Sequence, residues 1–446
     1  MEIQDLKFQD RDEFKRKSIA ENVISLMHSD IEISPIVIDG SWGTGKTEFC
    51  HKLINLMAEQ NTHHLIYVDA FKADHADEPL MTVLAEVIKI LPDDENRKSF
   101  ISKALPAVRY GLKALAKAGV SHVLRQDVAD VVDDFDKEIQ KTADKAIDAT
   151  VESILKDHVK AEQNLKALQK ALTEIAAQKP IVLFIDELDR CRPDFAVDML
   201  EILKHTFDVK GVSFVLVTNT QQLKASINHC YGTTVDAQRY LDKFVKFTVT
   251  LPTTIDTNAH RNKVAAIEHY RNLVQASPIL TNLNLNECGS IRTIKTLIGV
   301  NRLSLREVET LVRHIEVYEV LSGQSYLQPN TIFGFKVLSF FAIFIYCFKP
   351  VVALSILEKR HDAKEIGTVL GISSLSELVQ NRPDEHELIC YMLGGEALSN
   401  SNLFTPAEED ADTWKQISQE YFRGAFWRTE DYSEICAEVI KTLSMC

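Results

Sequence analysis

Apolar positions along this chain follow two periods. Over residues 11–28, Phe14, Ile19, Val23, Ile24 and Met27 recur at three-to-four spacing, which predicts a helix. Pro35–Ile38 is a short apolar run. A Gly-rich turn follows it, and a helix is expected from about Lys46 to Glu59. Leu65–Asp69 predicts a second strand and residues 79–91 a second helix, with Pro79 suited to its first turn. The unbroken apolar runs Ile181–Ile185 and Val212–Val217 fit strands buried on both faces of a parallel sheet. Strands alternating with helices in this way predict an α/β, doubly wound domain.

A long insertion, residues 95–178, interrupts this alternation. Its first part, 97–125, carries Arg97, Lys98, Lys103, Arg109, Lys113, Lys117 and Arg125 and no acidic residue. On a helix Arg109, Lys113 and Lys117 stack at every fourth position, opposite Leu105, Val108, Leu112 and Leu115. Two readings stand open: contact with an anionic membrane surface or acidic partner, or packing against the acidic run Asp127–Asp136. From 135 to 177 the spacing predicts long helix. Beyond 256 helical periodicity dominates. The expected division is therefore an α/β domain over 1–255 and a helical part in two pieces, 256–350 and 351–446. The twelve-residue apolar run 337–348 is too short for a membrane span of about 20 residues and is expected to be a core helix.

Composition narrows the class. A 45% hydrophobic and 26% charged chain of 446 residues is ordinary for a globular protein and argues against disorder, collagen and a polytopic membrane protein. With 64 Asp and Glu against 50 Lys and Arg, the formal net charge is −14, which counts against wholesale nucleic-acid binding. Eight scattered cysteines with no CxxC pair fit reduced thiols in a cytoplasmic setting better than disulfides or zinc. The N-terminus is charged throughout, unlike a secretory signal.

The chemistry concentrates at two places. Gly40-Ser41-Trp42-Gly43-Thr44-Gly45-Lys46-Thr47 matches GxxxxGK[ST] between a predicted strand and a predicted helix. In such a loop, backbone N–H groups curl around phosphates at the positive end of the helix. The expected nucleotide cradle is Gly40, Ser41, Trp42, Gly43, Thr44, Gly45, Lys46, Thr47 and Glu48, with Trp42 packing more than touching ligand. Lys46 would reach the β- and γ-phosphates and Thr47 would ligate Mg²⁺. The second place is Asp186-Glu187-Leu188-Asp189-Arg190, directly after a predicted buried strand. Asp186 is the expected magnesium-shell partner and Glu187 the general base, with Asp189 a rival. Thr218 or Asn219 would orient the attacking water, Arg190 or Arg192 would stabilise transition-state charge, and Arg306 would sense the γ-phosphate from the second domain. No Asn-Lys-x-Asp guanine motif is found, which favours ATP.

These motifs together resemble the KAP family of P-loop NTPases. GSWGTGKT is similar to the family's Trp-containing loop, and FIDELDRCRP over 184–193 to its magnesium-site motif. Val68–Lys72 with Glu78-Pro79-Leu80, Tyr240–Phe244 with the strand-like Val245–Leu251, and Leu303–Val308 resemble further family blocks. The resemblance runs from residue 10 to about 350. It implies an ATP-dependent switch of the same broad class as the STAND and AAA+ ATPases, with a helical lid, and homo-oligomers or a partner effector that read its state. Many members carry transmembrane helices where this chain has its charged insertion. Bacterial, PifA-like members occur in anti-phage defence, so the resemblance implies that setting too. Two other functions stay open beside the hydrolysing switch: a nucleotide-gated scaffold with negligible turnover, and a nucleic-acid-stimulated ATPase using the basic segment.

Overall fold

The computed structural model describes residues 5–12, 14–29, 31–75, 79–91, 97–104, 151–255, 263–286, 288–323, 325–376, 383–422 and 431–445. The basic face at Arg109, Lys113 and Lys117 and the acidic run 127–136 lie outside the described residues. Two compact units make up the chain, Met1–Pro252 and Thr253–Cys446.

The first unit runs α1 (Lys17–Met27), β1 (Ile36–Asp39), α2 (Lys46–Ala58), β2 (His64–Asp69), α3 (Ala70–Asp74), α4 (Pro79–Lys89) and α5 (Val151–Gln178). It continues with β3 (Ile181–Asp186), α6 (Pro193–Ile202), β4 (Val212–Thr218), α7 (Thr220–Tyr231), α8 (Ala237–Leu241) and β5 (Phe247–Thr250). The five strands form one parallel sheet in the order β2-β3-β4-β1-β5. Parallel neighbours need crossover connections, and here they pass through helices.

Successive strand residues point to opposite faces, and both faces are apolar. Ile181, Leu183, Ile185, Val212, Phe214 and Leu216 join one core with residues of α4, α6 and α7. Val182, Phe184, Val215 and Val217 join the other with α1 and α2. Helix cover on both sides is why these strands read as unbroken apolar runs rather than alternating ones.

Register then sets the polar row. Asp69 pairs with Asp186, Asp186 with Val217, and Asp39 with Thr218. Three strand-end carboxylates and one hydroxyl therefore stand together at the carboxyl edge of the sheet. Because β4 lies between β1 and β3, the loop after β1 and the acids after β3 face each other across the end of β4.

The second unit begins with a small antiparallel pair, β6 (Thr254–Ile255) and β7 (Lys263–Val264). Helices follow: α9 (Ala265–Ala276), α10 (Cys288–Val300), α11 (Leu305–Leu321), α12 (Phe333–Phe348), α13 (Pro350–Leu357), α14 (Ala363–Leu370), α15 (Glu385–Gly395), α16 (Ala411–Tyr421) and α17 (Tyr432–Leu443). The apolar run seen in the sequence is α12, with Val337 to Ile345 all buried, against α10, α11, α13 and α17. One core joins Ala266 to Leu443. Ser304 opens α11 with a capping box, its hydroxyl accepting from Glu307 N while the Glu307 carboxylate accepts from Ser304 N. Among the described residues no helix is long and apolar enough to cross a membrane.

Candidate functional site

The loop after β1 folds as its glycines dictate. Gly43 and Gly45 have φ of 75° and 79°, a region that L side chains rarely adopt, and Gly45 is the residue from which α2 starts. A Cβ on Gly40 would stand 2.7 Å from Thr44 Oγ1 and 3.4 Å from Lys46 Cγ, so only glycine lets the Lys46 stem and the loop close on each other. Thr44 Oγ1 donates to Ser41 O at 2.8 Å and pins the turn. Lys46 lies over the loop, with Nζ donating to Gly40 O at 2.8 Å and Ser41 O at 3.3 Å. Burial lowers its pKa, opposed by the charges of Asp189 and Asp186. An ammonium held only by loop carbonyls, with two carboxylates nearby, is placed to exchange those carbonyls for an anion.

Asp186 ends β3 and is 1% exposed. Its Oδ1 accepts from Glu187 N at 2.7 Å and its Oδ2 from Tyr67 OH at 3.2 Å. Burial pushes the carboxyl up to about 7, with the Thr47 hydroxyl, Glu187 N–H and Tyr67 acting in the opposite direction. A cation beside it would act the same way as those hydrogen bonds. Glu187 takes a left-handed backbone, φ 61°, which turns its side chain out of the strand direction. Its Oε1 accepts from Thr47 Oγ1 at 3.3 Å and its Oε2 is 2.6 Å from Arg190 Nη1. Burial raises its pKa, chiefly against the Arg190 charge. The Cys191 thiol donates to Glu187 O at 3.7 Å and supports this turn.

Asp189 is 7% exposed, and both its oxygens are engaged. Trp42 Nε1 donates to Oδ2 at 2.6 Å and Thr218 Oγ1 to Oδ1 at 3.3 Å. It therefore ties the P-loop, the end of β3 and the end of β4 together. Trp42 itself is 48% exposed, so it is a hydrogen-bonding brace more than the packing residue that the sequence suggested.

Residues 16–320, about two thirds of the chain, match the KAP family P-loop domain. The chain belongs to the KAP family of P-loop NTPases. The crystal structure of Cdc6p from Pyrobaculum aerophilum is similar at 11% identity and a TM-score of 0.39, over 96% of this chain and 94% of that one. No curated protein matches.

Within the KAP domain, the structure brings Lys46, Thr47, Asp186, Glu187, Asp189 and Arg190 into one constellation. Of the other residues singled out in the sequence, Asn219, Arg192 and Glu48 have local partners of their own. Asn219 is the N-cap of α7, its side chain accepting from Gln221 N, so Thr218 is the residue of that pair turned to the acids. Arg192 is clasped to Asp74, donating Nε to the carboxylate at 3.1 Å and Nη2 to the backbone at 3.0 Å. Glu48 pairs with Lys52 along α2 at 2.7 Å. Arg306 is in the first turn of α11, in the second unit.

Several contributors were not legible in the sequence. Tyr67 pairs with Phe184, two register positions from Asp186, and its hydroxyl reaches that carboxylate across the strands. Asp39 caps α7 by accepting from Thr220 N at 2.9 Å. Arg16, just before α1, donates Nη1 to Thr44 O at 2.8 Å. Each joins residues far apart in the chain, so no local spacing signals them. Among the described residues no three His, Cys, Asp or Glu side chains converge as a metal-binding group.

Proposed function

We propose that this KAP-family chain binds ATP with Mg²⁺ at the Gly40–Glu48 loop and hydrolyses it, serving as a nucleotide-driven switch. The observation that carries this reading is the contact of the Thr47 hydroxyl with Glu187, next to the buried Asp186, at the carboxyl edge of the sheet. One hydroxyl and one buried carboxylate suit Mg²⁺, which usually keeps waters and substrate phosphates as its other ligands. When bound, the ion would neutralise charge on the phosphates. Lys46 would leave its carbonyl partners for the β- and γ-phosphates. Glu187 would take a proton from the attacking water as its oxygen bonds to the γ-phosphorus and the bridging P–O bond breaks to release ADP.

A second reading is favoured by one specific observation. Both Glu187 oxygens are already engaged, by Arg190 and Thr47. A site held in that arrangement would bind nucleotide and turn over negligibly, as a gated scaffold. The shared setting we propose is an assembly of copies or a partner effector reading the nucleotide state. Phage defence is proposed on the family resemblance alone. The basic segment 97–125 is retained as a contact for acidic partners or anionic lipid.

The test is phosphate release from ATP by the wild type and by Lys46→Ala and Glu187→Gln, with and without nucleic acid and anionic liposomes. We expect Lys46→Ala to weaken ATP binding about 100-fold, the loss of a charge-assisted contact. Glu187→Gln is expected to keep binding while losing turnover. Tight binding with no phosphate release under any condition would replace the ATPase with the scaffold. Stimulation confined to nucleic acid would favour the third function.

A further inference from the structure

Arg16 is a charged side chain buried behind the P-loop, and the hydrolysis described above does not employ it. It is 5% exposed. One arm of its guanidinium, Nη1, donates to Thr44 O at 2.8 Å; the other, Nη2, donates to Pro252 O at 3.2 Å. Those carbonyls lie 28 and 236 residues away in sequence. Its backbone is fixed as well: Asp12 Oδ1 accepts from Arg16 N at 2.8 Å and Oδ2 from Lys17 N at 3.0 Å. Nε finds no hydrogen-bond partner among the described residues. A buried guanidinium with one donor unmatched is a poor device for stability alone, because desolvation opposes it.

Both ends of the clasp are informative. A trans peptide is planar, with its C=O and N–H on opposite sides. With Arg16 on the Thr44 carbonyl, the N–H of the same peptide, that of Gly45, is directed away from Arg16. A cation on the carbonyl also strengthens that N–H as a donor. Pro252 directly follows Leu251, whose N–H donates to Asp39 O at 2.9 Å as the β1–β5 ladder ends, and it is the last residue of the first unit.

We propose that Arg16 is a positioning residue for the phosphate cradle: it aims the Gly45 N–H at the phosphates of a nucleoside di- or triphosphate and couples the shape of the loop to Pro252, where the chain leaves the ATPase unit. This rests on the nucleotide reading of the P-loop. Arg16 reaches the two carbonyls with separate nitrogens of one planar fork, which the single nitrogen of lysine does not reproduce, so lysine would keep the charge and one contact but not the coupling.

The experiment is calorimetric titration of ATP, ADP and AMP into the wild type, Arg16→Lys, Arg16→Gln and Lys46→Ala, with steady-state turnover and amide hydrogen exchange of residues 247–251. Arg16→Gln should bind ATP and ADP about tenfold more weakly, the size of a lost hydrogen bond to a charged group. AMP, which lacks the outer phosphates, should change less than about twofold. KM should rise with kcat nearly unchanged. ATP should slow exchange over 247–251 in the wild type; Arg16→Lys should recover affinity in part but lose that response. Should Arg16→Gln fail to fold, Arg16→Lys decides alone. Unchanged ATP affinity in the Arg16 variants, equal losses for AMP and ATP, or a preserved exchange response in Arg16→Lys overturns the proposal while the nucleotide site stands. ATP that binds neither the wild type nor Lys46→Ala overturns both.

Discussion

The two units bury polar groups in different ways. In the first, the buried polar side chains at the sheet edge find one another: Lys46 among the loop carbonyls, Asp186 with Tyr67, Asp189 with Trp42 and Thr218, and Thr47 with Glu187. In the second, they form separate pairs, such as Ser277 with Glu316 and Glu385 with Arg292, or bond to backbone. Lys336 donates to Pro329 O, Ser355 to Val352 O, and His361 Nε2 is 2.9 Å from Leu393 O. Others there, Tyr270 OH, Thr293 Oγ1 and Trp414 Nε1, have no hydrogen-bond partner among the described residues. The difference comes from architecture. Parallel strands end together, and their register delivers several polar termini to one edge. A helical bundle scatters its polar groups around separate helix ends. Convergence, more than burial, separates a candidate site from a capped core.

The largest effect expected is at the convergent edge. Glu187→Gln should cut turnover by about 10²–10⁴, the usual range for a general base. Asp189→Asn should retain more activity, since both Asp189 oxygens serve as braces. Comparable losses in the two variants, measured as kcat, would make Asp189 the base and undo this assignment. In the bundle, Phe341 is fully buried in the core. Phe341→Ala should lower stability by about 3–5 kcal/mol, read as a shift of the denaturant midpoint. A loss below about 1 kcal/mol would mean that α12 is less central than its burial indicates.

Smaller effects sharpen the contrast. Trp42→Phe removes one donor from Asp189 at a half-exposed position, and turnover should fall about threefold to tenfold. Turnover equal to wild type would show that the brace is dispensable. A separate effect concerns pH in the bundle. Glu396 accepts from Tyr432 N at 2.5 Å and Ser433 N at 2.8 Å, yet burial prevails and pushes its carboxyl up from 4.5 to about 7. Between those values the folded chain holds a proton that the unfolded chain has released, so stability falls as pH rises through that window and levels off above it. Glu396→Gln cannot ionise. Its unfolding midpoint should therefore depend less on pH between about 5 and 7 than that of the wild type; equal slopes would remove Glu396 as a source.

The strands of the first unit and the P-loop were legible because their signals are local. An apolar run such as Ile181–Ile185, or glycines spaced around Lys46, is read within ten residues. The end of the site that depends on strand order was not. Asn219 and Thr218 are equivalent candidates in the sequence, and only the capping of α7 by Asn219 and the turn of Thr218 toward Asp189 separate them. The same holds for Arg190 and Arg192: two arginines separated by Cys191 after an acidic cluster, one on Glu187 and one on Asp74.

Sequence by itself determined the α/β alternation, the phosphate loop, the acids that follow β3 and the core character of α12, since each is carried by periodicity or by backbone chemistry at neighbouring residues. Tertiary structure alone decided which side chains share an edge. It placed β4 between β1 and β3, set Tyr67 on Asp186 and Trp42 on Asp189, and put Arg16 behind Thr44. The physical reason is that hydrogen bonds of 2.6 to 3.2 Å between residues more than a hundred positions apart, such as these two acid contacts, are fixed by strand register and packing, which no local pattern encodes.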